Sequence, residues 1–198
     1  MDNRVILTDC DGVLLNWEYS FYIWMERFGF KPVVDDPGMF YDAGHVLGIE
    51  KPDLIKYIRQ FNESAAIGFL PPFRDAMEYV KKLHREHGYV FHVITSLSTD
   101  KAAGELRKRN LCKLFGDTVF DDYIFLDTGA DKHEALAKYQ DKDYYFIEDK
   151  PENALLAYDY GLKGVLVEHG HNMHITDIPV FKNWKSIYKH ITKDNEYG

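Results

Sequence analysis

Asp9 and Asp11, Thr95 and Ser96, Lys132, and Glu148 and Asp149 are the residues of this chain best suited by type and placement to do chemistry. Each group follows, or lies shortly after, a short apolar run that reads as a β-strand. In a parallel sheet, ligands bind outside the carboxyl ends of the strands, so groups far apart in sequence are expected to meet in one crevice. Asp9, Glu148 and Asp149 would then bring several negative charges within a few ångströms of one another. Such a cluster is costly unless a cation offsets it or a carboxyl keeps its proton. A hard divalent cation resolves this, and Mg²⁺ suits one or two carboxylates together with waters and a substrate phosphate. Lys132 adds a second positive charge, Thr95 a hydroxyl for a phosphoryl oxygen, and Gly12 a residue that lets the backbone turn sharply beside a ligand.

The elements that must position these groups follow from hydrophobic periodicity and turn residues. Strands are expected at 4–8, 89–94, 123–126, 144–147 and 165–167. Helices are expected at 17–28, 52–61, 73–87, 100–110, 132–139 and 151–160, with a last one within 179–191. The stretch 31–48 is rich in Pro, Gly and Asp and reads as loop. Strands alternating with helices predict an α/β fold, a Rossmann-like parallel sheet with helices on both faces. The mostly helical stretch 16–70 falls between the first and second strands and reads as a small inserted cap. The core domain is then 1–15 and 71–198, resumed at Pro71-Pro72.

Composition narrows the classes. The 198 residues are 45% hydrophobic and 28% charged, enough for one core domain with a modest insertion. A formal net charge of −8 disfavours a nucleic-acid polymer as partner. No apolar run approaches a membrane span and no secretory signal is read at the start. The two cysteines, Cys10 and Cys112, are too few for a disulfide framework and fit a reducing cytoplasm.

The runs Asp9-Cys10-Asp11-Gly12-Val13, Val93-Ile94-Thr95-Ser96, Lys132 and Phe146-Ile147-Glu148-Asp149 resemble, in order, the four motifs of the haloacid dehalogenase (HAD) superfamily. The resemblance implies a HAD-like core and a two-step phosphoryl transfer. Asp9 would be the nucleophile, forming an aspartyl-phosphate, and Asp11 the acid and base. Thr95 and Lys132 would hold the phosphoryl oxygens. Mg²⁺ would be held by Asp9, the Asp11 carbonyl and Asp149, with Glu148 either bound directly or one layer out. An Asp at position 11 favours phosphatases over the dehalogenases of the superfamily. The stretches 9–18, 146–153 and 171–174 are similar to the 5′(3′)-deoxyribonucleotidase branch, which implies a nucleoside monophosphate as substrate. Trp17 would stack on the base and Phe69 would form a second wall; Gly12 and Ser96 complete the expected substrate site. The alternatives are a sugar-phosphate phosphatase or phosphotransferase on the same machinery, and a regulatory protein that binds a phosphorylated ligand without turnover. The expected partner is a small phosphorylated metabolite, and the expected assembly a monomer or homodimer.

Each residue also has a plainer reading. Asp-Gly is a common turn signal, Thr95-Ser96 can cap a helix, and Lys132 can be a solvated helix residue. Trp17, Phe21 and Trp24 recur at helical spacing, which by default packs a helix against the core. His169, His171 and His174 read as a solvated loop near the site rim in preference to a transition-metal site. Cys10 reads as a small buried side chain.

Overall fold

In the computed structural model of this chain, residues 4–34 and 41–196 are described. Part of the expected 31–48 loop, residues 35–40, lies outside them, as do 1–3 and 197–198 at the ends of the expected core. The first strand, β1 (Val5–Thr8), is buried along its whole length. It is followed by α1 (Trp17–Glu26), α2 (Ala43–Leu47), α3 (Lys51–Asn62) and a 3₁₀ turn at Ala65–Phe69. Then come α4 (Ala76–His87), β2 (Val90–Ser96), α5 (Lys101–Phe115), β3 (Phe120–Leu126), α6 (His133–Ala137) and β4 (Tyr145–Glu148). The chain ends with α7 (Pro151–Asp159), β5 (Lys163–Val167), β6 (Val180–Phe181) and α8 (Trp184–Glu196).

The six strands form one sheet in the order β3-β2-β1-β4-β5-β6, every pair parallel. The expected Rossmann-like α/β architecture is therefore present. From β1 the chain builds outward through β2 to β3, then crosses to the other side of β1 to begin β4. The point of reversal lies between β1 and β4, and this is where an open α/β sheet leaves a crevice at its carboxyl edge.

Alternation along the strands sorts the core into two faces. Val5 and Leu7 of β1 pack with Ile94, Phe146, Leu136 and Ala157, on the side of α6 and α7. Ile6 packs with Phe91, Val93, Ile147 and Val165, on the side of α4 and α8. Burial on both faces explains why the strands read as short, nearly continuous apolar runs. The second cluster extends without a break into the segment between β1 and β2, through Phe21, Met25, Val46 and Phe61. The helical insertion therefore continues the hydrophobic core on that side.

Four elements differ from the sequence expectation. Helix α2 lies inside the stretch read as loop; Asp42 accepts a hydrogen bond from the His45 N–H and Gly48 closes the helix in a left-handed conformation. Strand β3 begins at Phe120 and α5 runs on to Phe115. The two-residue β6, too short to leave a periodic signal, completes the sheet edge beside β5.

Candidate active site

The carboxyl ends of β1 and β4 adjoin at the point of reversal. Thr8 of β1 pairs with Ile147 of β4, and the Asp9 N–H donates to the Ile147 carbonyl at 2.8 Å. Asp9 and the Glu148-Asp149 pair are thereby delivered to the same place. A ligand atom from each of Asp9, Glu148 and Asp149 lies within 4.8 Å of the others, and all three residues are buried. Among the described residues this is the only such group of three or more potential metal ligands, so the three histidines do not form one.

Lys132 immediately precedes α6 and is itself buried. Its ammonium donates to Asp9 Oδ1 at 2.6 Å and to Glu148 Oε1 at 2.7 Å. Glu148 is satisfied on both oxygens. Oε1 also accepts from Asn153 Nδ2, and Oε2 accepts the backbone N–H groups of Asp149 and Lys150, each at 2.7 Å. Burial alone would raise the Glu148 carboxyl, but Lys132 and these donors outweigh it and hold it down near 2. Asp9 has fewer donors. Burial drives it up, Lys132 opposes, Glu148 and Asp11 add repulsion, and the outcome is a carboxyl raised to about 6. Asp149 is pushed well above the ordinary range by burial and by the charges of Glu148 and Asp9.

The backbone between β1 and α1 is shaped to leave room at this point. Gly12 has φ +73°, and a Cβ there would stand 2.9 Å from Asp149 Oδ2. The Cys10 carbonyl accepts the N–H groups of Leu14 and Leu15, while the Gly12 N–H donates to the Leu15 carbonyl at 2.9 Å. Two buried side chains from distant elements brace the same loop. Trp184 Nε1 donates to the Val13 carbonyl at 2.8 Å, and His169 Nε2 bonds the Gly12 carbonyl at 2.7 Å.

Asp11 follows Cys10 in the loop after β1. Its carboxylate is taken by Arg107 of α5, whose Nη1 and Nη2 reach Oδ1 and Oδ2 respectively. Arg107 Nη1 also meets Cys10 Sγ at 2.9 Å. Cys10 is fully buried, and burial pushes its thiol up to about 12, as expected of a small buried side chain.

Thr95 and Ser96 close β2 at the same edge of the sheet; Thr95 is buried, two positions beyond Val93, the partner of Thr8. The Ser96 hydroxyl donates to the Ala130 carbonyl at 2.8 Å and so fastens the loop that delivers Lys132. Trp17 stacks on Phe21 at 4.7 Å and meets Phe61 edge-on at 5.5 Å. Its Nε1 donates to Asn62 Oδ1 at 2.8 Å, and Asn62 in turn donates to the Leu97 carbonyl just past β2. Phe69 is 74% exposed, on the 3₁₀ turn. The structure thus brings Asp9, Gly12, Lys132, Glu148 and Asp149 into direct proximity, sets Thr95 and Ser96 at the same edge, and packs Trp17 within the aromatic cluster of the insertion.

The histidine loop differs from the solvated reading. His169 is buried and stacked on Phe73 at 4.9 Å, and burial lowers its pKa to about 4. His171 bonds the Asp149 carbonyl at 3.0 Å and stacks on Tyr41 of the insertion at 3.8 Å, while His174 is exposed. Asn172, fully buried, donates to the carbonyls of Asp149 and Val167 and accepts the His169 N–H. The sequence places the histidines only at the site rim and 171–174 only within the resemblance, and it gives no role to Arg107. A signal existed for Arg107: it falls on the same face of α5 as Ala103, Leu111 and Phe115, the face that is buried.

The site fits a hard divalent cation. Its candidate ligands are oxygens alone, two of the three carboxylates are held above their ordinary pKa, and Gly12 keeps the space beside Asp149 clear. Asp9 and Asp149 are the better placed to bind it, because the Glu148 oxygens already accept four hydrogen bonds.

No family model matches the sequence. An uncharacterised 32.4 kDa protein from the gp30–rIII intergenic region of Enterobacteria phage T4 is 27% identical over 147 residues, 69% of this chain and 50% of that protein. The chain spans about half the length of that curated relative. Among solved structures, a haloacid dehalogenase-like hydrolase from Streptococcus pneumoniae superposes with a TM-score of 0.63 at 14% identity, covering 96% of this chain and 99% of its own. A predicted phosphoglycolate phosphatase from Haemophilus somnus gives 0.60 at 16% identity over the same shares. The D,D-heptose 1,7-bisphosphate phosphatase of Burkholderia thailandensis gives 0.58 at 11%, also covering 96% and 99%. The fold of this chain is that of the HAD-like hydrolases. Among the described residues, no helix is long and apolar enough to cross a membrane.

Proposed function

We propose that this chain is a Mg²⁺-dependent phosphatase that hydrolyses a small phosphomonoester through an aspartyl-phosphate on Asp9. The observation that carries the reading is the shared Lys132 ammonium between Asp9 and Glu148, with Asp149 alongside, at the reversal point of a parallel sheet. Mg²⁺, bound by Asp9, the Asp11 carbonyl and Asp149, would supply charge neutralisation for the phosphoryl group and its approach to a carboxylate. In the first half-reaction an Asp9 oxygen bonds phosphorus as the ester oxygen departs, and the Asp11 carboxyl gives that oxygen its proton. In the second, a water oxygen bonds phosphorus, the Asp9–phosphorus bond breaks, and the water proton returns to Asp11. Lys132 and Thr95 hold the phosphoryl oxygens, and Glu148 orients Lys132 and Asn153. Substrates named for fold neighbours, a phosphoglycolate and a heptose bisphosphate, support a small phosphorylated metabolite.

Within that class, the resemblance of 9–18 and 146–153 to the deoxyribonucleotidase branch supports a nucleoside monophosphate. Trp17 is the proposed base platform, although its indole is already bonded to Asn62 and stacked on Phe21. The insertion 16–70 is proposed as the cap over the site, with Tyr41 touching the core loop at His171.

The purified chain is to be assayed with Mg²⁺ against an aryl phosphate, nucleoside monophosphates and sugar phosphates. Magnesium-dependent phosphate release is expected from the wild type and not from Asp9→Asn. Absence of turnover across the panel, or full activity in the variant, refutes the phosphatase reading. Equal kcat/KM for nucleotides and sugars refutes the nucleotide preference alone.

A further inference from the structure

Arg107 is among the largest fully buried side chains in the described protein, and its hydrogen bonds go to two adjacent residues, Cys10 and Asp11. Nη1 and Nη2 reach the two oxygens of Asp11, Nη1 also meets Cys10 Sγ, and Nε has no hydrogen-bond partner. As a contribution to folding this is an expensive arrangement. A buried ion pair is often replaced by apolar residues at no loss of stability, and an orphaned buried N–H adds to the cost. Such a guanidinium is better explained by what it fixes. A fork gripping both oxygens sets the plane and direction of a carboxylate, which a single donor or a lysine ammonium does not. The Asp11 side chain remains 22% exposed, so it is held and still reachable.

We propose that Arg107 is a positioning residue for proton transfer: it orients the Asp11 carboxyl toward the ester oxygen of the bound substrate and toward the water of the second step. This rests on the phosphatase reading above. Arg107 neither touches the substrate nor gives up a proton; the proton moves only between Asp11 and the leaving oxygen or water. The contribution is therefore largest where leaving-group protonation matters most, with poor leaving groups.

The test compares phenyl phosphate, a poor leaving group, with 4-nitrophenyl phosphate, a good one, in wild type, Arg107→Lys, Arg107→Met, Asp11→Asn and the double variant Arg107→Lys/Asp11→Asn. With protonation by a placed carboxyl contributing on the order of 10²-fold or more, kcat/KM, which reports the steps through departure of the leaving group and not the hydrolysis common to both esters, is expected to fall at least about tenfold further for phenyl phosphate than for the nitrophenyl ester in both Arg107 variants. The double variant is expected to be no more sensitive to leaving group than Asp11→Asn alone, since residues acting as one unit are not additive. A wild type that turns over while the Arg107 variants lose kcat/KM equally for both esters overturns the inference and leaves the phosphatase reading standing. So does a double variant whose losses multiply. A wild type inert towards both esters overturns the phosphatase reading and this inference with it. Failure of Arg107→Lys to fold, read by circular dichroism, would make Arg107 structural and also overturns the inference.

Discussion

Replacing Asp9 by Asn should make the metal-free protein more stable at the pH where the wild type would work, while abolishing its activity. Burial and the neighbouring acids raise the Asp9 carboxyl from 3.8 to about 6, a balance that already includes the attraction of Lys132. Each unit is worth about 1.4 kcal/mol, so the ionised carboxylate costs the folded state about 3 kcal/mol. The sign follows from which state holds the proton. Below about pH 4 Asp9 is protonated folded or unfolded, and there is no penalty. Between pH 4 and 6 the unfolded chain releases the proton first, so stability falls as pH rises; above 6 the full cost applies. Asn keeps the shape and never ionises. In excess chelator, Asp9→Asn is therefore expected to exceed the wild type by about 3 kcal/mol at pH 8, a shift of roughly 1–3 M in urea midpoint, and to match it near pH 4. Added Mg²⁺ should close the gap by stabilising the wild type more than the variant, as any ligand specific for the folded state does. A variant less stable than wild type at pH 8, or a difference that does not change with pH, refutes the electrostatic account of the site.

Gly12→Ala places a Cβ 2.9 Å from Asp149 Oδ2 at a φ of +73°, so stability should drop by about 1–2 kcal/mol from backbone strain. Turnover should drop by roughly 10²-fold as Asp149 is displaced; denaturant melts and initial rates check both. His169 is buried neutral with its pKa lowered to about 4 from 6.5, so the unfolded chain takes up its proton first as the solution is acidified. Its contribution is intact above about pH 6.5 and about 3 kcal/mol is lost as pH falls to 4; His169→Gln should remove that part of the slope in a series of urea melts across this range. Gly164→Ala would put a Cβ 2.1 Å from the Ala154 carbonyl oxygen, a backbone clash that α7 must move to relieve. A loss of about 1–3 kcal/mol or more is expected by overpacking, and unchanged stability would show that α7 is not seated as described.

The parts of the site that are local in sequence were legible, and the parts set by tertiary contact were not. Asp9, Thr95-Ser96 and Glu148-Asp149 terminate apolar runs, and a strand in a two-sided sheet leaves that signature. Their convergence followed from parallel topology alone. Strand order and the position of the reversal point did not, because every buried strand looks alike in sequence. Helix α2 escaped notice because five residues among glycines and aspartates carry too little periodicity; its caps, Asp42 and Gly48, are also ordinary loop residues. Arg107 sits in a run of basic residues that reads as a solvated helix, and only the apolar face it shares with Ala103 and Leu111 sets it apart. His169 and Asn172 looked like members of a polar loop because their partners are backbone carbonyls at Gly12, Asp149 and Val167, which no side-chain pattern records.

The charges of the site divide into those the protein neutralises itself and those it leaves short. Glu148 receives Lys132, Asn153 and two backbone N–H groups, and is held near 2. Asp11 receives both Nη atoms of Arg107. Asp9 shares the Lys132 ammonium with Glu148, and Asp149 sits among like charges; these are the two carboxyls held high. The pairing thus concentrates the unmet demand for positive charge on the two oxygen donors that face each other across the reversal point of the sheet. A protein built only for stability would have spread or neutralised that demand, since buried like charges are destabilising whatever else they do. Concentrated at one point, it fits the divalent cation that the proposed function requires. The well-paired carboxylates of Glu148 and Asp11 and the raised carboxyls of Asp9 and Asp149 are consequences of one uneven distribution of donors.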